Sequence, residues 1–473
     1  LYPDDPGTPM SRLLISAAHK SSGKTTVSLG LCAALAEQGL AVQPFKKGPD
    51  YIDPMWLGKA AGRPCHNLDF YCMSDAEILT TVGHYSATAD IALIEGNKGL
   101  YDGLDLDGSN SNAALARLTR TPVILVLDAR GMTRGIAPLI LGYQMFDPEV
   151  HIAGVILNQL GGSRHEAKLR AVIEHYTDIP VIGGVHRDKS LEITERHLGL
   201  IPSNEESAAD LKIRHIRDLI KAQVDLDRLL AVAGDASLDF SPVTARPVPS
   251  GKPVRIGIAR DAAFGFYYPD DIDTLQQAGA QLVNIDTLKD RSLPDIDGLF
   301  IGGGFPETRM QELEANIELR ESIRSALLNG LPAYAECGGL MYLTRSLSWD
   351  GQRCDMVGVI PADTVMHERP QGRGYVRLQE TAAAPWPSSA PAGEFAAHEF
   401  HYSGLANVDS PLEYAYEVVR GTGIDGHNDG IIINNLLACY SHMRDTEQHH
   451  WAYRFVDFVR QHRDRDKDTA DAL

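Results

Sequence analysis

Short apolar runs that stop at small or polar residues alternate along this chain with segments of helical spacing. Arg12 to Ala18 is one such run, closing on a small-residue turn, and Thr25 to Gln38 follows with apolar positions at helical intervals. Further runs at Ile91–Ile94, Val123–Leu127 and Ile152–Leu157 each end in polar or Gly-rich residues, with helical patterns such as Ser111–Leu118 and His165–His175 between them. Strands that alternate with helices predict a parallel α/β sheet, since parallel neighbours need a crossover helix to return the chain.

A second series of the same kind begins beyond a break in composition. Residues 231–253 turn rich in Ala, Asp, Pro and Ser, and Val243 to Pro253 holds three prolines and one glycine, as a linker does. Predicted strands then lie at Val254–Ala259, Gln281–Ile285, Gly298–Ile301 and Ala333–Ala335, with helices at Asp271–Ala278 and Glu312–Asn329. The pattern therefore predicts two α/β domains, at 10–235 and 254–460, joined by a linker at 236–253 and followed by a charged, disordered tail at 461–473.

Composition narrows the setting. A chain of 473 residues exceeds what one core usually serves. Its formal charge of −19 argues against non-specific nucleic-acid binding, while leaving room for local basic clusters such as Lys46–Lys47 to meet an anionic substrate. The six cysteines are scattered without a CxxC pair, which speaks against metal ribbons and disulfide frameworks and for a reducing cytoplasm. No apolar run is long enough to span a membrane, and Leu1 to Pro9 lacks the apolar core of a signal peptide.

The turn after the first strand reads Ala18-His19-Lys20-Ser21-Ser22-Gly23-Lys24-Thr25-Thr26. It is a phosphate-binding loop with Ala18 in place of the first glycine. Backbone N–H groups up to Thr26, with Ser22 and Gly23 in the bend, would cradle phosphates at the helix N-terminus; Lys24 would reach the terminal phosphate and the Thr25 hydroxyl would ligate Mg²⁺. Two acidic clusters sit at the ends of later strands. One carries Asp50 and Asp53, the other Glu95, Asn97, Lys98 and Asp102. Hard oxygen ligands there suit Mg²⁺ beside ATP phosphates, with Thr25, Asp50 and Glu95 as the candidate set. Asp50 and Asp53 serve equally well, taken alone, as caps of a helix beginning at Pro54.

Far downstream, a strand runs into Glu336-Cys337-Gly338-Gly339. This has the form of a nucleophile elbow, with the thiol exposed at a sharp turn and the helix N-terminus favouring the thiolate. Gly303 and Gly304 follow another strand and, with the Gly338 amide, are candidates for an oxyanion hole. His442, after the apolar strand Ile431–Leu437, is the candidate base, although 17 histidines make any one of them a weak signal. His398-Glu399-Phe400-His401-Tyr402-Ser403 mimics a metal motif, but histidines three apart on a strand point to opposite faces, so it reads as a substrate or interface loop.

With these motifs in place the chain resembles the cobyrinic acid a,c-diamide synthase family from Arg12 to about Phe458. The resemblance rests on FKKGPDYIDP (Phe45–Pro54), EGxxGLYDG (Glu95–Gly103), TERHLGL (Thr194–Leu200), FYYPD (Phe266–Asp270), AECGGLMYLT (Ala335–Thr344) and HEFHYS (His398–Ser403). It implies a dethiobiotin synthetase-like P-loop domain and a class I glutamine amidotransferase-like domain. It also implies ATP- and Mg²⁺-dependent amidation of the a and c acetates of a tetrapyrrole through an acyl phosphate, with glutamine as nitrogen donor. Cys337 resembles the glutaminase nucleophile and His442 its base; a homodimer that buries the ammonia path is a further expectation. Class I enzymes usually orient the histidine with a Glu two residues later, whereas Met443 and Arg444 follow His442 here. Asn97 and Lys98 are more polar than is usual in corrin-amidating members, so sirohaem or sirohydrochlorin is the alternative substrate. A ParA/MinD-like ATPase switch is a remote alternative: its signature lysine is replaced by His19 and it has no use for Cys337. A glutaminase alone would leave the phosphate loop idle.

Overall fold

The computed structural model describes residues 11–188, 190, 195–196, 199–200, 202–204, 208–235, 252–386, 393–409 and 411–471. The chain divides into two compact units, Leu1–Thr244 and Ala245–Leu473. The Pro-rich linker expected at 236–253 lies largely outside the described residues, as do Thr194, His197 and Leu198 of the TERHLGL motif.

The first unit is a parallel sheet built in the expected rhythm. Its parallel strands are β1 (Ser11–Ala17), β2 (Val42–Lys47), β3 (His66–Leu68), β4 (Ile91–Glu95), β5 (Val123–Asp128), β6 (Ile152–Leu160) and β7 (Val181–His186), in the spatial order β3-β2-β4-β1-β5-β6-β7, and the short strand Gly234–Asp235 pairs antiparallel with β1. Almost every residue of β1, β4 and β5 is buried, as befits strands covered on both faces. The helix after β1, α1 (Lys24–Glu37), is buried along most of its length. Gly30 permits this: a Cβ there would come within 2.3 Å of the Ile220 side chain on the helix Ala209–Gln223. A second helix, α2 (Ile52–Ala61), follows β2. Because β1, β2 and β4 are parallel neighbours, their C-terminal ends open on one crevice.

The second unit holds a nine-stranded mixed sheet. Five parallel strands, Ala280–Ile285, Val254–Ala259, Gly298–Ile301, Ala333–Glu336 and Leu436–Cys439, are continued by four antiparallel ones, Asn428–Ile433, Glu413–Arg420, Gly372–Glu380 and Glu394–His401. The segment predicted as a single strand at Ile431–Leu437 is a hairpin: Ile433 pairs with Leu436, and Asn434 takes φ 52° in the tight turn. The helix predicted across Glu312–Asn329 is broken at Asn316, whose amide donates to the carbonyls of Thr287 and Asp290 at 2.8 Å each.

Two further expectations are corrected. HEFHYS is no loop; it runs from the strand Glu394–His401 into the strand Ser403–Ala406, with His398 and His401 both buried. Of the tail expected to be disordered, residues 461–471 continue the helix Trp451–Asp471 and the last two lie outside the described residues. Arg463 Nη1 anchors it by donating to the carbonyls of Lys252 and Pro253 at 3.0 Å each, a contact that charge composition does not announce.

Candidate active sites

In the first unit the phosphate loop joins β1 to α1. Gly23 adopts φ 86°, and a Cβ there would fall 2.1 Å from the Asn158 amide nitrogen, so only glycine fits. Asn158, at the end of β6, in turn donates to the Ser22 carbonyl at 2.8 Å. The Ser22 hydroxyl donates to the His19 carbonyl at 2.8 Å and is thereby occupied in shaping the turn. Ala18 is tolerated where the first glycine was expected, its carbonyl accepting from the Tyr143 hydroxyl at 2.5 Å. Lys24 and Thr25 open the helix, and Thr26 follows them half-buried.

The acidic residues converge on this loop. Thr25 Oγ1 donates to Glu95 Oε1 at 2.7 Å and lies 3.3 Å from Asp53 Oδ2. Between the carboxylates sits the Lys46 ammonium, 2.5 Å from Asp53 Oδ2, 2.9 Å from Glu95 Oε1 and 3.9 Å from Asp50 Oδ2. The capping role of Asp50 is present, its Oδ1 accepting from the backbone of Ile52 and Asp53 at the start of α2, which begins at Ile52 and not at Pro54. Asp102 is exposed and holds its own loop by accepting from the Gly99 N–H at 3.0 Å. Asn97 takes the Asn112 side chain on its backbone and lies 3.5 Å from Lys47 Nζ, while Lys98 is exposed at φ 25°.

Burial sets the electrostatics. It raises the Glu95 pKa above the ordinary carboxylate range, the Lys46 charge notwithstanding. Burial opposes the Lys46 charge as well, but Asp53, Glu95 and Asp50 together outweigh it and hold its pKa well above normal. Desolvation lowers the Lys24 pKa, and pushes Lys47 down to about 8. Glu95 Oε2 is buried with no hydrogen-bond partner, an acceptor pointing to an absent cationic or donor group. Among the described residues no group of three His, Cys, Asp or Glu side chains could hold a metal by itself. A cation here would take phosphate oxygens as further ligands, which is the usual habit of Mg²⁺.

In the second unit Cys337 ends the strand Ala333–Glu336 and starts the short helix Gly338–Leu343 with φ 45° and ψ −100°, a strained elbow. Its N–H donates to the Cys439 carbonyl at 2.7 Å. The elbow needs its glycines. A Cβ on Gly339 would strike the Ile301 carbonyl at 2.2 Å, and one on Gly338 would lie 3.0 Å from the Gly304 N–H nitrogen. Gly303 is hemmed by His442, whose Cε1 is only 2.6 Å from where its Cβ would be. Cys337, His442, Gly303, Gly304 and Gly338 therefore meet in one place.

His442 lies beside Cys337 and Glu336, both of which favour its charged form. Its Nδ1 is 3.5 Å from Glu336 Oε2, and its ring stacks on His398 with centroids 4.9 Å apart. Burial works against the imidazolium, but those two partners prevail and raise the His442 pKa to about 10. His398 goes the other way, driven well below normal by burial and by the charges of His442 and Arg444. The backbone leading into His442 is fixed by the buried Asp429, whose carboxylate accepts from Tyr440 N at 3.0 Å and Ser441 N at 2.9 Å. Asp429 and Asn158 are site-shaping residues that carry no local sequence motif.

Both units match known domains. A nucleotide-binding domain profile, described as CobQ/CobB/MinD/ParA, matches residues 14–201, and a CobB/CobQ-like glutamine amidotransferase domain profile matches residues 255–448. A cobyrinate a,c-diamide synthase of Magnetococcus marinus is 45% identical over 95% of this chain and 97% of its own. The enzymes of that name from Methanosarcina acetivorans (44% identical, over 94% of this chain and 93% of theirs) and Archaeoglobus fulgidus (40%, over 94% and 96%) are similar at full length. The chain belongs to the cobyrinate a,c-diamide synthase family. It is a glutamine-dependent, amide-forming ligase with a nucleotide-binding domain, as its resemblance implied. Among the described residues no helix is long and apolar enough to cross a membrane.

Proposed function

We propose that this enzyme amidates the a and c acetate side chains of cobyrinate or hydrogenobyrinate, using ATP to activate each carboxylate as an acyl phosphate and glutamine to supply ammonia. The observation that carries the reading is the presence in one chain of a phosphate loop flanked by carboxylates and a Cys337–His442 elbow.

At the elbow the Cys337 sulfur attacks the glutamine side-chain carbonyl, and backbone N–H groups among Gly303, Gly304 and Gly338 stabilise the oxyanion. His442 gives its proton to the departing ammonia, then takes one from the water that hydrolyses the thioester. At the phosphate loop Lys24 and the backbone N–H groups hold the nucleotide's phosphates. Lys46 orders Asp53 and Glu95, and Asp102 and Lys98 line the open side where the substrate would arrive. Thr25 Oγ1, Glu95 and either Asp53 or Asp50 would hold Mg²⁺, which would supply neutralisation of phosphate charge. Ammonia then displaces phosphate from the acyl phosphate, leaving an amide. A free carboxylate does not take this step because its leaving group is poor.

A second substrate class, sirohaem or sirohydrochlorin, keeps its place because Asn97 and Lys98 put a polar segment directly after Glu95 at the end of β4. Parallel incubations with ATP, Mg²⁺, glutamine and one pigment each, read by mass spectrometry, test both. Amide products from cobyrinic or hydrogenobyrinic acid are expected. Amidation of sirohaem or sirohydrochlorin alone would overturn the corrin assignment and make Asn97 and Lys98 the leading specificity determinants.

A further inference from the structure

A cysteine–histidine pair needs a third group to fix the imidazole and to support the charge it gains. The usual position for that acid, two residues after the histidine, is Arg444 in this chain. We infer that Glu336, the residue immediately before the nucleophile, is the positioning residue that orients His442 toward Cys337. The inference rests on the glutaminase reading of the elbow.

Three observations carry it. Glu336 Oε2 faces His442 Nδ1 at 3.5 Å, with both side chains almost wholly buried at 4% and 3% exposure. The distance is of the kind that shortens when the ring is loaded with substrate and charge. The carboxylate is also pinned, since Oε1 accepts from the Tyr334 hydroxyl at 2.6 Å and from the Met443 N–H at 3.0 Å. A carboxylate held by two donors on one oxygen presents the other in a fixed direction, which an orienting acid requires. Finally, the ring has no room to turn away, with His398 stacked on it and the Gly303 backbone against Cε1.

Regular strand alternation would send residues 336 and 337 to opposite faces. The left-handed φ of Cys337 breaks the alternation, so consecutive side chains both reach His442. The groups that face the imidazole are Cys337 and Glu336 from this strand and His398 from the strand Glu394–His401, and the Arg444 guanidinium acts on His398. Arg444 is paired to Asp270 at 2.6 Å, and Asp429 acts on the backbone alone. Glu336 is thus an acid placed directly against the ring.

The test is glutamate release from glutamine by the full-length protein with ATP and Mg²⁺ and no pigment, across neutral to alkaline pH, for wild type, Glu336→Gln and Glu336→Asp. For Glu336→Gln we expect kcat to fall by about 10²–10⁴-fold with KM for glutamine little changed. Its alkaline limb should move to lower pH because the imidazolium has lost its anion, and Glu336→Asp should recover part of the rate. Circular dichroism and thermal unfolding of each variant report on the fold. A Glu336→Gln variant with wild-type rate, or with a reduced rate and an unmoved alkaline limb, would overturn the positioning role. A wild-type protein that releases no glutamate would overturn the glutaminase reading itself, a result separate from either variant outcome.

Discussion

Lys46 and Glu95 stand opposite one another on neighbouring parallel strands, and the ammonium of one lies 2.9 Å from the carboxylate of the other. With Asp53 at 2.5 Å the group is a buried lysine between two acids, directly beneath the phosphate loop. Breaking such a cluster leaves charge without compensation, which costs about 3–5 kcal/mol. Lys46→Met should therefore destabilise the protein by an amount of that order. Glu95, already inclined to hold its proton, will hold it more firmly in the variant. A raised carboxylate pKa gives stability that is present at low pH and lost as pH rises through the folded value. The deficit should accordingly widen from acid to alkaline conditions in urea unfolding followed by circular dichroism. An equal deficit at both would dismiss the ion-pair account.

Asp50 makes the pH dependence of metal loading testable. Burial and then the Asp53 carboxylate raise its pKa to about 7, although 35% of its side chain is exposed and solvent tempers the effect. A carboxylate must be ionised to ligate a cation. Affinity for Mg²⁺–nucleotide, by isothermal titration calorimetry, should thus rise as pH passes upward through this range. Asp50→Asn should weaken binding and flatten the rise; a rise as steep as in wild type would remove Asp50 from the site.

Cys337→Ser should abolish amidation from glutamine while leaving free ammonium as a nitrogen source, because activation resides in the other unit. Lys24→Ala should abolish amidation from both donors. Product analysis with each donor separates the cases, and loss of ammonium use in Cys337→Ser would sink the two-site scheme.

Gly303→Ala places a methyl 2.6 Å from His442 Cε1, so the imidazole must shift. A displacement on the order of 1 Å at a reacting group can cost about 10² in rate. The glutamine-dependent rate should drop by about that factor with ammonium use spared. Near-wild-type glutamine use would mean that the ring is not held where the structure puts it.

Much of this was legible in the chain. Alternating runs gave the parallel sheet because strands covered on both faces must be apolar throughout, and Gly23-Lys24-Thr25 and Cys337-Gly338-Gly339 announce themselves through backbone conformations that few other residues allow. What escaped is what depends on distance in sequence. Lys46 reads as a basic spot, and nothing local says that it fills the gap between Asp53 and Glu95. Glu336 reads as a strand residue facing away from its neighbour, because alternation is the rule and φ 45° at Cys337 is the exception. Apart from the apolar Ile431–Ile433, the antiparallel half of the second sheet is not legible because its strands mix polar and apolar residues irregularly, as at Glu413–Arg420.

Placing the acid beside the nucleophile has an effect on the stretch beyond His442. That stretch no longer has to furnish an orienting carboxylate, and it is employed instead as a brace. Met443 gives its N–H to Glu336, Arg444 grips Asp270, and the Asp445 N–H reaches Asp271 at 2.9 Å, fastening the segment to the helix Pro269–Gln277. The reactive group is then assembled with nucleophile and acid on one stretch and the histidine on another, and that second stretch is tied down on either side of its histidine. Such a centre has few independent parts to fall out of alignment, and sequence drift in the surrounding loops would leave its geometry intact.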